Sequence, residues 1–268
     1  VAIVPRPVEG DYDEVLFDFI VASEGDVPRV YSDHRGIPTL GLGYAMLVDQ
    51  SGWPPRESLD ADLAAIGIVL APADRARLAA VGQALSRNDI TAAKDLVSPW
   101  TPGEDAAARN NFSFLITRDQ SKALFALLRP DYEAVLRQRL GTEVWDELAG
   151  SREMVALFSL AYNSPGLIGP GLTAALRSGA RESAWFEIRF RSNRERHHGL
   201  QNRRDHEAAF FGLTNTTTTL GERQAIARLL REQRGFIEGY LAEVGRSAPE
   251  IQTALADLAT SAAHSDLA

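Results

Sequence analysis

The sequence predicts a mostly α-helical α+β fold, with a small β-hairpin lobe beside a larger helical lobe. Three observations carry this. Apolar residues recur at helical spacing along most of the 268 residues. One β-branched and aromatic stretch, RVYSDHRGIPTLGLGY, surrounds the turn-forming tetrapeptide DHRG. A third segment, REMVALFSLAYN, is apolar almost all round, as expected of a helix at the centre of a domain.

Taken in order, residues 12–23 place Val15, Leu16, Phe19 and Ile20 on one helical face. Asp11 or Asp13 serves as cap and Gly25 as stop, so a short amphipathic helix ends beside Glu24. RVYS and IPTLGLGY then read as the two strands of a hairpin. Residues 59–97 are alanine-rich and helical with a break near Ala71 and Pro72, and the prolines and glycine of SPWTPGED close them. This section, about 50–110, reads as an insertion. TRDQSKALFALLRPDYEAVLRQRL opens on a Thr117 cap and runs as one or two helices, with Pro130 marking a break. SPGLIGPG ends the buried helix, and residues 172–178 and 180–190 are again helical. TNTTTT, residues 214–219, is a low-complexity joint, beyond which 222–244 and 250–263 read as two amphipathic tail helices. The expected organisation is a principal domain over 1–213, then a joint and helical extension over 214–268.

Composition narrows the function classes. At 45% hydrophobic and 24% charged residues the chain can bury a real core. It contains no apolar run of the roughly 18 residues that a membrane helix needs, and VAIVPRPVEG lacks the basic-then-apolar layout of a signal peptide. A net charge of -8 argues against nucleic acid and anionic membranes as partners. With no cysteine, disulfides and thiol nucleophiles are excluded.

Residues 22–44 concentrate the chemistry. Glycoside cleavage needs one protonated carboxyl for the leaving oxygen and a second polar group that orients or deprotonates water. Glu24, at a helix C-terminus, faces the negative end of the macrodipole, which disfavours its ionised form and suits it to donate a proton. Asp33 sits at a turn where water and backbone amides keep it ionised. Thr39, on the returning strand, offers a hydroxyl that can hold the attacking water, and Gly41 and Gly43 allow a polymer to approach. The plainer alternative stays open, since acids near turns are most often caps or solvated charges.

The run Glu24-Gly25, Tyr31, Asp33, Gly36, Thr39, Gly41, Gly43 resembles the catalytic segment of the phage T4-type lysozymes, glycoside hydrolase family 24, and of related bacteriocin and secreted-effector muramidases. That family has a glutamate, an aspartate nine residues on, a threonine six further and then Gly-x-Gly; the spacing here matches without a gap. Three further segments resemble the family in order: the Thr117-capped helix, the buried helix with the glycine turn beyond it, and GLQNRRDHEAAFF. The matches span about 12–212, the insertion excepted. The resemblance implies a lysozyme-like fold with a cleft between the lobes. It implies a muramidase that cuts the β-1,4 bond between N-acetylmuramic acid and N-acetylglucosamine with inversion. Glu24 would be the general acid, Asp33 the residue that positions or activates water, and Thr39 the water-holding hydroxyl. Asn202 and Arg203 match the family's Asn-Arg pair, which would bring Arg203 near Glu24, although Arg203 also reads as a surface arginine. Asn163 is a cleft hydrogen-bonding residue or a C-cap.

By the same resemblance no cofactor or metal is expected. The partners would be peptidoglycan glycan strands, with an immunity protein or a delivery machine as a further one. The place of action would be the bacterial periplasm or cell wall, reached by a phage or a secretion machinery. A catalytically inactive wall-binding or assembly module of the same fold is the alternative. The chain also departs from the family. Tyr44 stands where a histidine is common, the section between Tyr44 and Thr117 is much longer, and the charge is acidic. His197, His198 and His206 lack metal-ligand spacing. The aromatics of LFALL and AAFF read as core, and Trp53 and Trp100 as better candidates for stacking on a sugar.

Overall fold

The computed structural model describes residues 3–98, 111–192, 198–214 and 218–263. It is mostly helical with one small antiparallel sheet, the α+β class that the sequence predicts. The chain divides into two compact units, Phe17–Asp131 and Val1–Leu16 with Tyr132–Ala268, and the boundaries fall inside helices α1 (Tyr12–Glu24) and α5 (Arg118–Leu140). Among the described residues no helix is long and apolar enough to cross a membrane.

In the unit Phe17–Asp131, α1 stops at Glu24 because Gly25 turns left-handed at φ +77. The helix starts on Asp11, whose Oδ1 accepts from the Glu14 amide at 2.9 Å. Strand β1 (Val27–Ser32) pairs antiparallel with β2 (Pro38–Gly41), Tyr31 opposite Thr39 and Ser32 opposite Pro38. The expected single returning strand is divided in two, because Gly41 and Gly43 both take positive φ and turn the chain around Leu42 into β3 (Tyr44–Ala45). The sheet is therefore three-stranded, in the order β1-β2-β3. Gly41 is also a close approach: a Cβ there would lie 2.8 Å from Ser121 Oγ on α5.

The section read as an insertion holds α2 (Leu59–Ala65), α3 (Pro72–Ser86) and α4 (Ile90–Val97). Pro72 opens α3, as expected from the break at Ala71. A second break was not legible. Asn88 turns left-handed at φ +57, and Asp89 caps α4 by accepting from the Ala92 amide at 3.0 Å. SPWTPGED, apart from its first residue, lies outside the described residues, and Trp100 with it. Leu63, Leu78, Val81, Ala93 and Val97 are buried, so all three helices contribute to the core of this unit.

Thr117 caps α5 as expected, and Gln120 makes the cap reciprocal, with bonds of 2.8 and 3.2 Å. Pro130 does not break α5. The helix runs unbroken to Leu140, because a proline costs one backbone hydrogen bond and the turns on either side are long enough to continue.

In the other unit, α7 (Arg152–Asn163) is buried along Glu153–Ala161, as its apolar circumference requires. It follows α6 (Thr142–Leu148), a helix that sequence patterning did not single out. Glu153 is buried. Its Oε1 accepts from Arg181 Nη2 at 2.6 Å and its Oε2 from the Arg6 amide at 2.9 Å. Arg181 opens α9 (Arg181–Phe186), which follows α8 (Pro170–Ser178) and continues as a π-helical turn over Glu187–Arg191. The AAFF segment lies in α10 (His198–Phe211), with Phe211 buried.

Among its described residues the tail holds three helices where two were expected: α11 (Leu220–Glu232), α12 (Arg234–Glu243) and α13 (Ala248–Ala263). Gln233, at φ -96 and ψ 4, interrupts the first. The tail packs on the body of its unit, with Phe236 5.7 Å from Phe186 and Tyr240 5.4 Å from Phe190, ring centre to ring centre.

Removing the Glu153 carboxylate leaves a buried guanidinium uncompensated. Glu153→Ala should therefore lower the stability of this unit by about 3–5 kcal/mol, read from urea unfolding. A loss within error would show that the pair is dispensable.

Candidate active site

The four residues of the catalytic-type run that carry reactive groups lie in Phe17–Asp131, and one phenol reports on their arrangement. Tyr31 is half-buried on β1, directly across from Thr39, so both side chains project from one face of the sheet. The Tyr31 phenol is pushed up to about 12, by burial first and then by the negative charges of Glu24 and Asp33, while a hydrogen bond from the Gly43 amide acts in the opposite sense. Glu24 and Asp33 thus both fall within electrostatic reach of one hydroxyl. Glu24 itself is exposed at the last position of α1.

Asp33 builds the turn that it occupies. Its Oδ1 accepts from the amides of Arg35 at 2.9 Å and Ile37 at 2.8 Å, and its backbone carbonyl accepts from Gly36 at 3.1 Å. Both side-chain bonds fall on one oxygen, which leaves Oδ2 as the acceptor not committed to the turn. Thr39 is buried, and its Oγ1 donates to the Ile37 carbonyl at 3.0 Å. Its proton is committed, so the hydroxyl faces any incoming water as an acceptor.

A cavity of about 480 Å³ opens beside Asp33. Arg29, Asp33 and His34 wall it on the sheet side, and Lys94 and Asp95 of α4 on the other. Sequence reasoning missed Arg29, Lys94 and Asp95, because no local pattern signals that α4 returns to the hairpin. His34 was legible only as part of the turn tetrapeptide. Trp53 is half-buried, at the unusual φ of +48, with the Arg35 guanidinium 5.6 Å from its ring centre. Tyr44 is buried and donates to Asp62 Oδ2 at 2.6 Å, which ties β3 to α2. Burial, then that bond, pushes its phenol above its ordinary value.

The remaining expected residues lie in the unit Val1–Leu16 with Tyr132–Ala268. Arg203 on α10 donates through Nε to Glu207 Oε1 at 3.1 Å and through Nη2 to the Ser159 carbonyl at 3.0 Å. Ser159 Oγ also donates to Glu207, at 2.6 Å. Its neighbour Arg204 is fully buried against the same glutamate and donates to Asn163 Oδ1 at 3.1 Å. Burial pushes the Glu207 carboxyl up, against the pull of Arg204, Ser159 and Arg203. Asn163 ends α7, and the C-cap position next to it belongs to Ser164. Asn202 is exposed on α10. The arginine that reads as superficial in NRR is therefore largely enclosed, with a buried arginine next to it.

Among the described residues no group of three or more His, Cys, Asp or Glu is placed to hold a metal ion. His197 and the side chain of His198 lie outside the described residues. No family model, curated protein or solved structure matches this chain.

The Asp33 turn can be separated from Asp33 chemistry. Asp33→Ala removes the acceptor of two amides and should cost about 1–3 kcal/mol, whereas Asp33→Asn retains Oδ1 and should unfold near the wild-type midpoint. Equal losses would contradict the turn role.

The Tyr31 phenol yields a sign. The unfolded chain releases this proton near 10.0 and the folded chain near about 12. The folded state thus holds the proton longer, and the group's contribution is complete below the lower value and lost as pH rises toward the upper one. In alkaline denaturant titrations, Tyr31→Phe should lose less stability over that window than wild type; parallel curves would refute the assignment.

Proposed function

We propose that the chain is a peptidoglycan-degrading muramidase with a lysozyme-like fold, related to the T4-type lysozymes, that hydrolyses the β-1,4 bond between N-acetylmuramic acid and N-acetylglucosamine. The observation that supports this most is that the charges of Glu24 and Asp33 both act on the Tyr31 phenol, with Thr39 directly across the strand pair from it. In this reading Glu24 protonates the leaving oxygen. A water donates its hydrogens to Asp33 Oδ2 and Thr39 Oγ1 and turns a lone pair toward the anomeric carbon. Direct displacement by that water inverts the centre: its proton passes to Asp33 as the new C–O bond forms, and the old glycosidic oxygen leaves with the proton from Glu24. The reaction as proposed uses no cofactor, and the substrate is the glycan strand of the cell wall.

A second reading, a wall-binding module without turnover, draws on a different observation. Asp33 and Thr39 both serve the backbone of the hairpin, and that duty alone would account for their presence.

Glu24→Gln distinguishes the two readings. It preserves shape and hydrogen bonding but removes the proton, so lysis of purified walls should fall by at least about 10²-fold with folding intact. Proton NMR of the first-formed sugar end should show the α anomer in the wild type. Near-full lysis by folded Glu24→Gln would remove Glu24 from the mechanism, and absence of lysis by the wild type would favour the binding module.

A further inference from the structure

The cavity beside Asp33 carries charges that the hydrolytic reading does not use. Its far wall is α4, and packing fixes the spacing of the walls. A Cβ on Gly36 of the hairpin turn would come within 3.2 Å of both Ala93 Cβ and Leu85 Cδ2. Ala93 and Val97 anchor α4 in the core, while the neighbouring Lys94 and Asp95 are exposed and line the cavity. Arg29 and His34 approach from the sheet side.

These charges do not neutralise one another. Among the described residues the side chains of Arg29, His34, Lys94 and Asp95 make no hydrogen bond or ion pair. Asp33 keeps its Oδ2 beyond the turn bonds. Two cations and the Asp95 carboxylate thus stand around one space beside Asp33 without reaching each other. The volume of about 480 Å³ lies within the roughly 300–1,000 Å³ of small-ligand sites. The complementary ligand bears separated carboxylate and ammonium groups. The backbone sugars of a glycan carry hydroxyl and acetamido groups, which leave such a pattern unmatched. A short peptide that contains a diamino acid matches it.

We propose that this cavity is a peptide-binding site built by the insertion. It takes a peptide's carboxylates on Arg29 and Lys94 and its side-chain amine on Asp95. That the peptide is the one attached to the glycan rests on the muramidase reading; the charge pattern and the site do not. Lys94 and Asp95 act as specificity-determining residues, set apart from the proton donor.

The test is titration calorimetry of the full chain with the free tetrapeptide L-Ala-D-Glu-diaminopimelate-D-Ala. Wild type should bind it, and Lys94→Met and Asp95→Asn should each weaken binding by about tenfold or more, the factor expected when a charge-assisted hydrogen bond is lost. Lys94→Arg should retain most of the affinity. Both positions are exposed, so circular dichroism should be unchanged in all three variants. No binding by wild type, or wild-type affinity in both Lys94→Met and Asp95→Asn, overturns the site. Wall lysis measured alongside keeps the two ideas apart. Peptide binding that depends on Lys94 in a chain without lysis supports the site and sinks the muramidase reading, and lysis without peptide binding does the reverse.

Discussion

A buried ion pair, Glu153 with Arg181, organises the unit that contains most of the helices. Enclosing two charges costs about several kcal/mol per ion unless the remaining donors and acceptors find partners. Here they do. The second oxygen of Glu153 takes the Arg6 amide, and Arg181 also donates to the carbonyls of Val4, Phe211 and Gly212 at 2.6, 3.1 and 3.2 Å. The N-terminal segment, the start of α7, the start of α9 and the end of α10 are thereby drawn to one point. Around Glu207 the same solution recurs, with Arg203, Arg204 and Ser159 on one carboxylate. A helix without a solvent face, such as α7, can be surrounded by other helices only if the polar groups at its borders are paired in this way. The cluster also lowers the Arg6 guanidinium to about 10, through burial first and Arg181 second.

Asp33, in the unit with the sheet, is held differently. Asp33 is half-buried at a turn, and its hydrogen-bond donors are backbone amides instead of guanidinium groups. Amide donors hold the carboxylate in place without neutralising its charge, and they engage one oxygen only. Thr39 shows the same economy, its proton given to Ile37 and its lone pairs left. Under the proposed mechanism the two duties would not compete: at Asp33 they fall on different oxygens, and at Thr39 on the proton and the lone pairs of one hydroxyl.

Much of the local structure was legible, because it depends on near neighbours. The Asp11 cap, the Gly25 stop, the Thr117–Gln120 cap and the buried circumference of α7 all follow from residues a few positions apart. The errors share a cause as well. The split of IPTLGLGY into two strands depends on the pairing of Leu40 with Tyr44, and the persistence of α5 through Pro130 depends on the turns on either side. The break at Gln233 has no proline, and the nearby Gly235 lies inside the next helix instead of at the break. For the site, spacing placed Glu24, Tyr31, Asp33 and Thr39 on neighbouring elements. The contribution of α4 had no sequence signal, since it is made by tertiary packing of Ala93 and Leu85 against the turn.

That packing joins the stability of the insertion to the geometry of the hairpin. Gly36 is held at φ +87, a conformation that L side chains rarely adopt, and the space where a Cβ would stand is filled by Ala93 and Leu85. The Gly36 amide is in turn the donor to the Asp33 carbonyl. One residue therefore closes the turn that orients Asp33 and sets the distance at which α4 faces it. A helical segment attached in this manner is part of the scaffold of the cavity. Its helices can change the width and charge of the cavity through exposed positions such as Lys94, while its buried positions keep the hairpin in register.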